Sequence, residues 1–181
     1  MSILQDVQAN ARSKSQSHPA SRKQTVARLL NLRFLAVVLY RLSVAVGSRS
    51  GILADVVKQF NQLLTGADVA WQARISAGLV LRHPVGVVIG AGVRAGENLI
   101  LQQGVTIGGD GGSKLDEDHF PTIGDNVRIG PGARLLGNIT VGDGAVIGAN
   151  SVVIRDVPAG AFVAGVPARV IRTEEPPGRV S

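Results

Sequence analysis

The chain has no cysteine, one methionine, one tryptophan, one tyrosine and an aromatic content of only 3% in 181 residues. The missing cysteine excludes disulfides, thiol nucleophiles and cysteine-ligated metals, and it leaves the compartment open. Few aromatics and no recognition motif argue against a nucleic-acid partner, although the net charge is +6. A long uncharged apolar run is also absent: Arg33 and Arg41 interrupt the most apolar region, around Phe34 to Tyr40, so no segment suits a bilayer span. The first residues are polar, contain Asp6 and do not read as a signal peptide, which makes a cytoplasmic location the default.

Acidic charge is scarce only at one end. Residues 1–50 carry eight Lys/Arg against one acid, and the remaining chain carries eleven against twelve. This basic segment reads as a solvated helix face behind a leader. Peripheral contact of the basic helix with an anionic membrane is the other use such a segment could serve.

What the chain does have is a six-residue grid of aliphatics: Val69, Ile75, Leu81, Val87, Val93, Leu99 and Val105, then Ile123, Ile129, Leu135, Val141, Ile147 and Val153. Ile, Leu and Val make up 54 of the 181 residues, so thirteen hits in thirteen trials have a chance of about 10⁻⁷. A fixed short period is the mark of a stacked solenoid. Gly124 recurs as Gly142, Gly130 as Gly148 and Leu135-Leu136 as Val153-Ile154, each 18 residues on, so three hexads make one coil. Each coil is then a triangle with aliphatic corner residues pointing inward and stacking on neighbouring coils. The recurring glycines answer to positive φ or to close backbone approach. The expected fold is an all-β left-handed parallel β-helix with a short helical N-terminal region, an exception to the right-handed crossover rule.

Four segments follow: a disordered leader over 1–22, helices within 23–66, the β-helix over 67–172 and a disordered tail over 173–181. The helices are expected from about Thr25 to Val46 and from Ile52 to Gly66, the second packing Leu53, Val57, Phe60 and Leu64 on one face. Such helices can cover the open edge of the first coil. The coils run from Val69 to about Pro158. Between Ile107 and Thr122 the grid breaks, and the charged, Gly-rich stretch 108–122 is expected to be extruded, where loops often carry function.

Chemistry has few places to sit. The histidines are His18 in the leader, His83 and His119. His83 follows Leu81 by two places and faces away from the core, and histidine is the side chain most often used as general base for a hydroxyl. A surface turn is the other reading of that position, as it is for Asp68 taken alone.

Four stretches carry a resemblance: 63–68 (Leu-Leu-Thr-Gly-Ala-Asp), 104–109 (Gly-Val-Thr-Ile-Gly-Gly), 123–134 and 165–171 (Gly-Val-Pro-Ala-Arg-Val-Ile). Over nearly its whole length the chain resembles the serine acetyltransferases of the hexapeptide acyltransferase superfamily. The resemblance implies acetyl-CoA as co-substrate, with no metal. His83 is implied as general base, and Asp68, fifteen residues before it, as the group that orients the imidazole. Backbone N–H groups at Gly108 and Gly109 are implied as oxyanion donors. Arg155, Arg169 and Arg172 match cations near the coenzyme phosphates, and Ala149 matches a backbone contact to the coenzyme. The implied assembly is a homotrimer with sites between subunits.

Departures from the family pattern fall on acceptor recognition. Asp-Val-Ala-Trp stands at 68–71 where the family has Asp-Ile-His-Pro, Arg82 replaces the acid before the catalytic histidine, and the loop ends His119-Phe120-Pro121 rather than Arg-His-Pro. Arg82 would repel an ammonium group, and the lost loop arginine removes a carboxylate partner. Arg82 and His119 are therefore the candidate acceptor-binding residues, and the expected acceptor is a sugar hydroxyl of a polysaccharide or its precursor, with L-serine as the alternative. Two other classes are a non-catalytic trimeric scaffold and a metal-dependent hydratase. The hydratase would need three histidine ligands where this chain offers His83, His119 and little else.

Overall fold

The computed structural model describes residues 2–12, 32–109, 111 and 119–173. The rest of the expected leader, first helix, extruded loop and tail lies outside the described residues. Among the described residues three helices precede a solenoid: α1 (Ser2–Arg12), α2 (Leu32–Gly47) and α3 (Gly51–Thr65). None is long and apolar enough to cross a membrane among the described residues.

The solenoid has three flat faces of short strands. The first holds Asp68–Val69, Val88–Ile89, Thr106–Gly108, Arg134–Leu136 and Val152–Val153; the second holds Arg74–Ile75, Arg94–Ala95, Thr122–Ile123 and Thr140–Val141. The third holds Val80–Leu81, Ile100–Leu101, Arg128–Ile129, Val146–Ile147, Ala161–Gly165 and Ala168–Thr173. All pairings are parallel except the last, which is antiparallel. The third face therefore continues past Pro158, where the coils were expected to stop.

Two inward positions per hexad fill the core. One is the central aliphatic residue of the strand, such as Val69, Ile75 or Leu81; the other lies two places earlier, as Ala67, Ala73 and Leu79 do. Each is nearly or fully excluded from solvent, and each large aliphatic contributes about 2 kcal/mol by burial. The aliphatic residues thus lie on the faces, while exposed two-residue turns such as Asp125-Asn126 form the corners, where the aliphatics had been placed.

The grid changes meaning part-way along. Val69 pairs with Ile89 and Leu81 with Leu101, so Leu81 and Ile89, successive strand residues, are eight apart instead of six. That two-residue insertion shifts Val87, Val93, Leu99 and Val105 from the strand position to the position two before it. All four are still buried because both positions face inward. The phase returns across the extruded loop, where Ile107 and Ile123 are successive strand residues. The recurring glycines serve close backbone approach: a Cβ on Gly130 would lie 2.8 Å from the Ala149 nitrogen of the next coil.

Hydrogen bonding explains the helices. N–H groups of each coil donate to carbonyls of the next, as from Asp68 to Val87 and Arg74 to Val93, which leaves first-coil carbonyls facing the N-terminal end. Unpaired buried carbonyls are costly. Tyr40 Oη donates to Ala73 O at 2.7 Å, Arg41 donates to Ile75 O and Ser76 O, and Asn10 Nδ2 donates to Leu79 O at 3.0 Å. The Asp6 carboxylate accepts from Gly78 N and Leu79 N at 2.7 and 2.9 Å. The expected disordered leader thus contains α1, docked by Asp6 and Asn10. Arg41, counted with the charges available to a membrane, points inward.

α3 begins at Ser50, whose side chain accepts from Leu53 N, and ends at Gly66 in the left-handed conformation (φ 75°). Its orientation is the reverse of the expected one. Ala54, Asn61 and Thr65 are buried, while Leu53, Phe60 and Leu64 are about half exposed, with Ile52 and Leu63 more so. Asn61 Nδ2 donates to Ala36 O in α2, and Thr65 Oγ1 donates to Asn61, so specific bonds rather than apolar area set the rotation.

Candidate active site

The two-residue insertion between Leu81 and Ile89 is the origin of the site. It adds length to the corner joining the third and first faces, and Arg82, His83 and Val85 stand exposed there while Pro84 and Val87 are buried beneath them. Val87 N donates to Pro84 O at 3.1 Å, and Gly86 N donates to Gly66 O at 2.9 Å. The loop carrying His83 is therefore tied to the turn that precedes Asp68. Asp68 N in turn donates to Val87 O at 2.8 Å, and Asp68 pairs with Val88. One coil brings Val88, five residues after His83, beside Asp68 on the first face, so backbone bonds tie the His83 loop to the Asp68 segment.

The Asp68 carboxylate is held by a residue that sequence reading missed. Lys58 Nζ of α3 lies 2.8 Å from Asp68 Oδ1, both side chains being less than a third exposed. The only available signal was position, since Lys58 shares the Ala54–Asn61–Thr65 stripe. Among the described residues no hydrogen bond or ion pair joins Asp68 to His83.

Trp71, one of the departures, has a structural task. Its Nε1 donates to Asp55 Oδ1 at 2.9 Å, and its ring lies where a Cβ on Gly47 would have to sit. It clamps the α2–α3 turn to the first coil.

The other candidates divide among corners. Gly108 closes a first-face strand, accepts from Gly137 N at 3.1 Å, and has open space where a Cβ would be. Gly109 meets the far end of the extruded loop: a Cβ there would be 3.3 Å from His119 O and 3.6 Å from the Phe120 ring. Phe120 also covers Gly90 and Gly92, which fixes the loop end on the corner between the first and second faces. His119 is thus on a different corner from Arg82, and one chain does not bring these two acceptor candidates together.

A groove of about 470 Å³ on the third face collects Arg82, Gln102, Arg128, Ala149, Phe162 and Arg172. The Arg172 guanidinium lies 5.5 Å from the Phe162 ring centroid. Arg155 and Arg169 instead line a smaller cleft of about 160 Å³ at the end of the solenoid. Arg172 pairs with Phe162 and Arg169 with Ala164, on either side of the register shift between Phe162 and Val163. The three arginines expected at one coenzyme site are split, and Arg82 joins the groove that holds Ala149 and Arg172.

Residues 120–155 match the family model for bacterial transferase hexapeptide (six repeats). A serine acetyltransferase of Helicobacter pylori (strain J99) is 38% identical over 157 residues, covering 86% of this chain and 91% of the relative. The chain belongs to the serine acetyltransferase family. The Synechococcus elongatus enzyme is 38% identical over 154 residues, but the chain spans only 62% of its length. The serine acetyltransferase of Neisseria gonorrhoeae, solved in complex with serine, superposes with a TM-score of 0.79 at 35% identity, covering 92% of this chain and 68% of that one. Another serine acetyltransferase, solved in complex with CoA, gives 0.81 at 33% identity, covering 93% and 68%.

Asp68 and His83 share one end of the solenoid. Gly108 and Gly109 lie farther along it on another corner, while the third-face groove begins at Arg82, next to His83.

Proposed function

We propose that this protein is an acetyl-CoA-dependent O-acetyltransferase whose acceptor is L-serine. The observation that carries the reading is the exposed His83 on an inserted loop bonded to the Asp68 turn, in a chain 38% identical to a serine acetyltransferase over 91% of that relative. The relatives' activity favours L-serine over the sugar acceptor that Arg82 and the altered loop suggested, and among the described residues neither Arg82 nor His119 bonds Asp68 or His83 through its side chain. The same relatives, with the hexapeptide match, support a left-handed sense for the coil.

Acyl transfer to a hydroxyl needs a base, an orienting group and charge stabilisation. His83 Nε2 takes the proton as the serine oxygen attacks the thioester carbonyl, and Asp68 holds the imidazole with Nδ1–H toward the carboxylate. N–H groups at Gly108 and Gly109 stabilise the oxyanion. Collapse breaks the carbon–sulfur bond, and the imidazolium proton goes to the departing thiolate. Ala149, Arg172 and Arg82 hold the coenzyme along the third-face groove, and Arg155 and Arg169, in their separate cleft, take no part in this reading. A homotrimer fits this arrangement, because the groups lie on different corners of one chain and would meet across a subunit boundary.

Thiol release from acetyl-CoA tests the reading, with L-serine and a panel of sugars and nucleotide sugars as acceptors. Turnover with L-serine and its loss by about 10³-fold in His83→Ala is expected. Turnover confined to a sugar moves the acceptor, and undiminished turnover in His83→Ala removes the mechanism.

A further inference from the structure

We propose that Lys58 is a positioning residue for the catalytic pair, anchoring Asp68 Oδ1 so that Oδ2 is presented to His83 Nδ1–H. This rests on the acetyl-transfer reading above and adds to it a residue outside the solenoid.

The helix that carries Lys58 is placed by bonds that leave its apolar residues outward and a lysine inward. Lysine turned toward a protein surface needs an acceptor, and the acceptor present is the Asp68 carboxylate, at 2.8 Å. α3 cannot easily rotate away. Asn61 bonds to Ala36 O, Thr65 bonds to Asn61, Ser50 and Gly66 cap the ends, and Trp71 seats the start of the helix through Asp55 and Gly51. The carbonyl of Gly66, the C-cap, accepts from Gly86 N of the His83 loop, so one short connection fixes the helix end and the loop together. The helix that brings Lys58 to Asp68 and the loop that carries His83 are therefore tied at Gly66.

A carboxylate has two oxygens and can serve two donors at once. With Oδ1 taken by an ammonium, free rotation of the carboxylate is stopped and Oδ2 has a defined direction. A general-base histidine needs its Nδ1–H held so that Nε2 carries the lone pair. Partly exposed ion pairs add little to stability, so loss of Lys58 should be read in function rather than in folding.

The test uses full-length protein as wild type, Lys58→Met and Lys58→Arg. Long-range ¹H–¹⁵N spectra give the histidine tautomers, and with three histidines in the chain the His83 signal is assigned by its absence in His83→Ala. Steady-state kinetics with acetyl-CoA and L-serine give kcat and KM. The expectation for Lys58→Met is a His83 shifted away from the Nδ1–H tautomer and kcat lowered about tenfold with both KM values within about twofold, Lys58→Arg recovering most of the loss. An unchanged tautomer overturns the proposal whatever happens to kcat, and so does Lys58→Arg performing no better than Lys58→Met. If wild type does not acetylate L-serine, the parent reading fails, while the tautomer still decides the role of Lys58.

Discussion

Asp6 and Arg41 form a buried ion pair, Oδ2 to Nε at 2.8 Å, with the aspartate side chain 1% exposed and the arginine 9%. The pair joins a helix at the extreme N-terminus to α2, and each partner also bonds the open edge of the first coil. Removing one partner leaves the other charge buried. Asp6→Ala is expected to destabilise the fold by about 3 kcal/mol, measured by urea unfolding, and to increase hydrogen exchange at Gly78 and Leu79. A loss below about 0.5 kcal/mol would mean that α1 contributes nothing as a cap.

Tyr40, the single tyrosine, donates its hydroxyl to Ala73 O and is 1% exposed. Burial raises its pKa above the ordinary value of 10.0, partly opposed by the Arg41 charge. A raised folded pKa means that the contribution is complete below the unfolded value and is lost as pH climbs from there through the folded value. Stability should fall above about pH 10, and the phenolate absorbance should appear with unfolding rather than before it. Tyr40→Phe should flatten that alkaline decline; an equally steep decline in the variant refutes the assignment.

Gly66 couples fold to site. Its φ of 75° is one that side-chain-bearing residues adopt at a cost, and a Cβ there would lie 3.2 Å from Val85 Cα, in the loop bearing His83. Gly66→Ala is expected to cost about 1–2 kcal/mol and to lower kcat more than KM, because the loop is displaced while the groove is not. Equal effects on kcat and KM would show that the loop position is not set by Gly66.

Arg82 shares a groove with Arg128, Ala149 and Arg172 rather than with His119. Arg82→Ala should raise KM for acetyl-CoA about threefold to tenfold, as expected for one lost charge-assisted contact, with KM for L-serine nearly unchanged. The opposite pattern would return Arg82 to the acceptor, and a double variant with Arg172→Ala would show whether the two act on one phosphate region.

Much of the solenoid was legible before any coordinates. Strands of a stacked coil use only local alternation and an 18-residue recurrence, so the inward direction of Leu135, Val141 and Ile147 follows from spacing alone, although their place on the faces rather than at the corners does not. The phase shift at Val87 did not, because both inward positions of a hexad accept aliphatics and the grid runs on undisturbed through a two-residue insertion. The same insertion makes the His83 loop, so the feature that the pattern concealed is the one that carries the site. α3 was misread for a related reason: amphipathicity states which face is apolar, while Asn61, Thr65 and Trp71 decide which face is inward.

The sequence by itself determined the repeat, the glycines that permit coils to approach, the exposed His83 and its spacing from Asp68, because each depends on residues close in the chain or one period apart. Only the tertiary structure decided that Asp6 and Arg41 close the open edge, that Lys58 takes the Asp68 carboxylate, and that the C-terminal arginines divide between two clefts. Those outcomes depend on how the described helices dock on the first coil and how the last two strands pair, and helix docking is set by hydrogen bonds between residues 16 to 73 positions apart, outside the repeat, where periodicity carries no information.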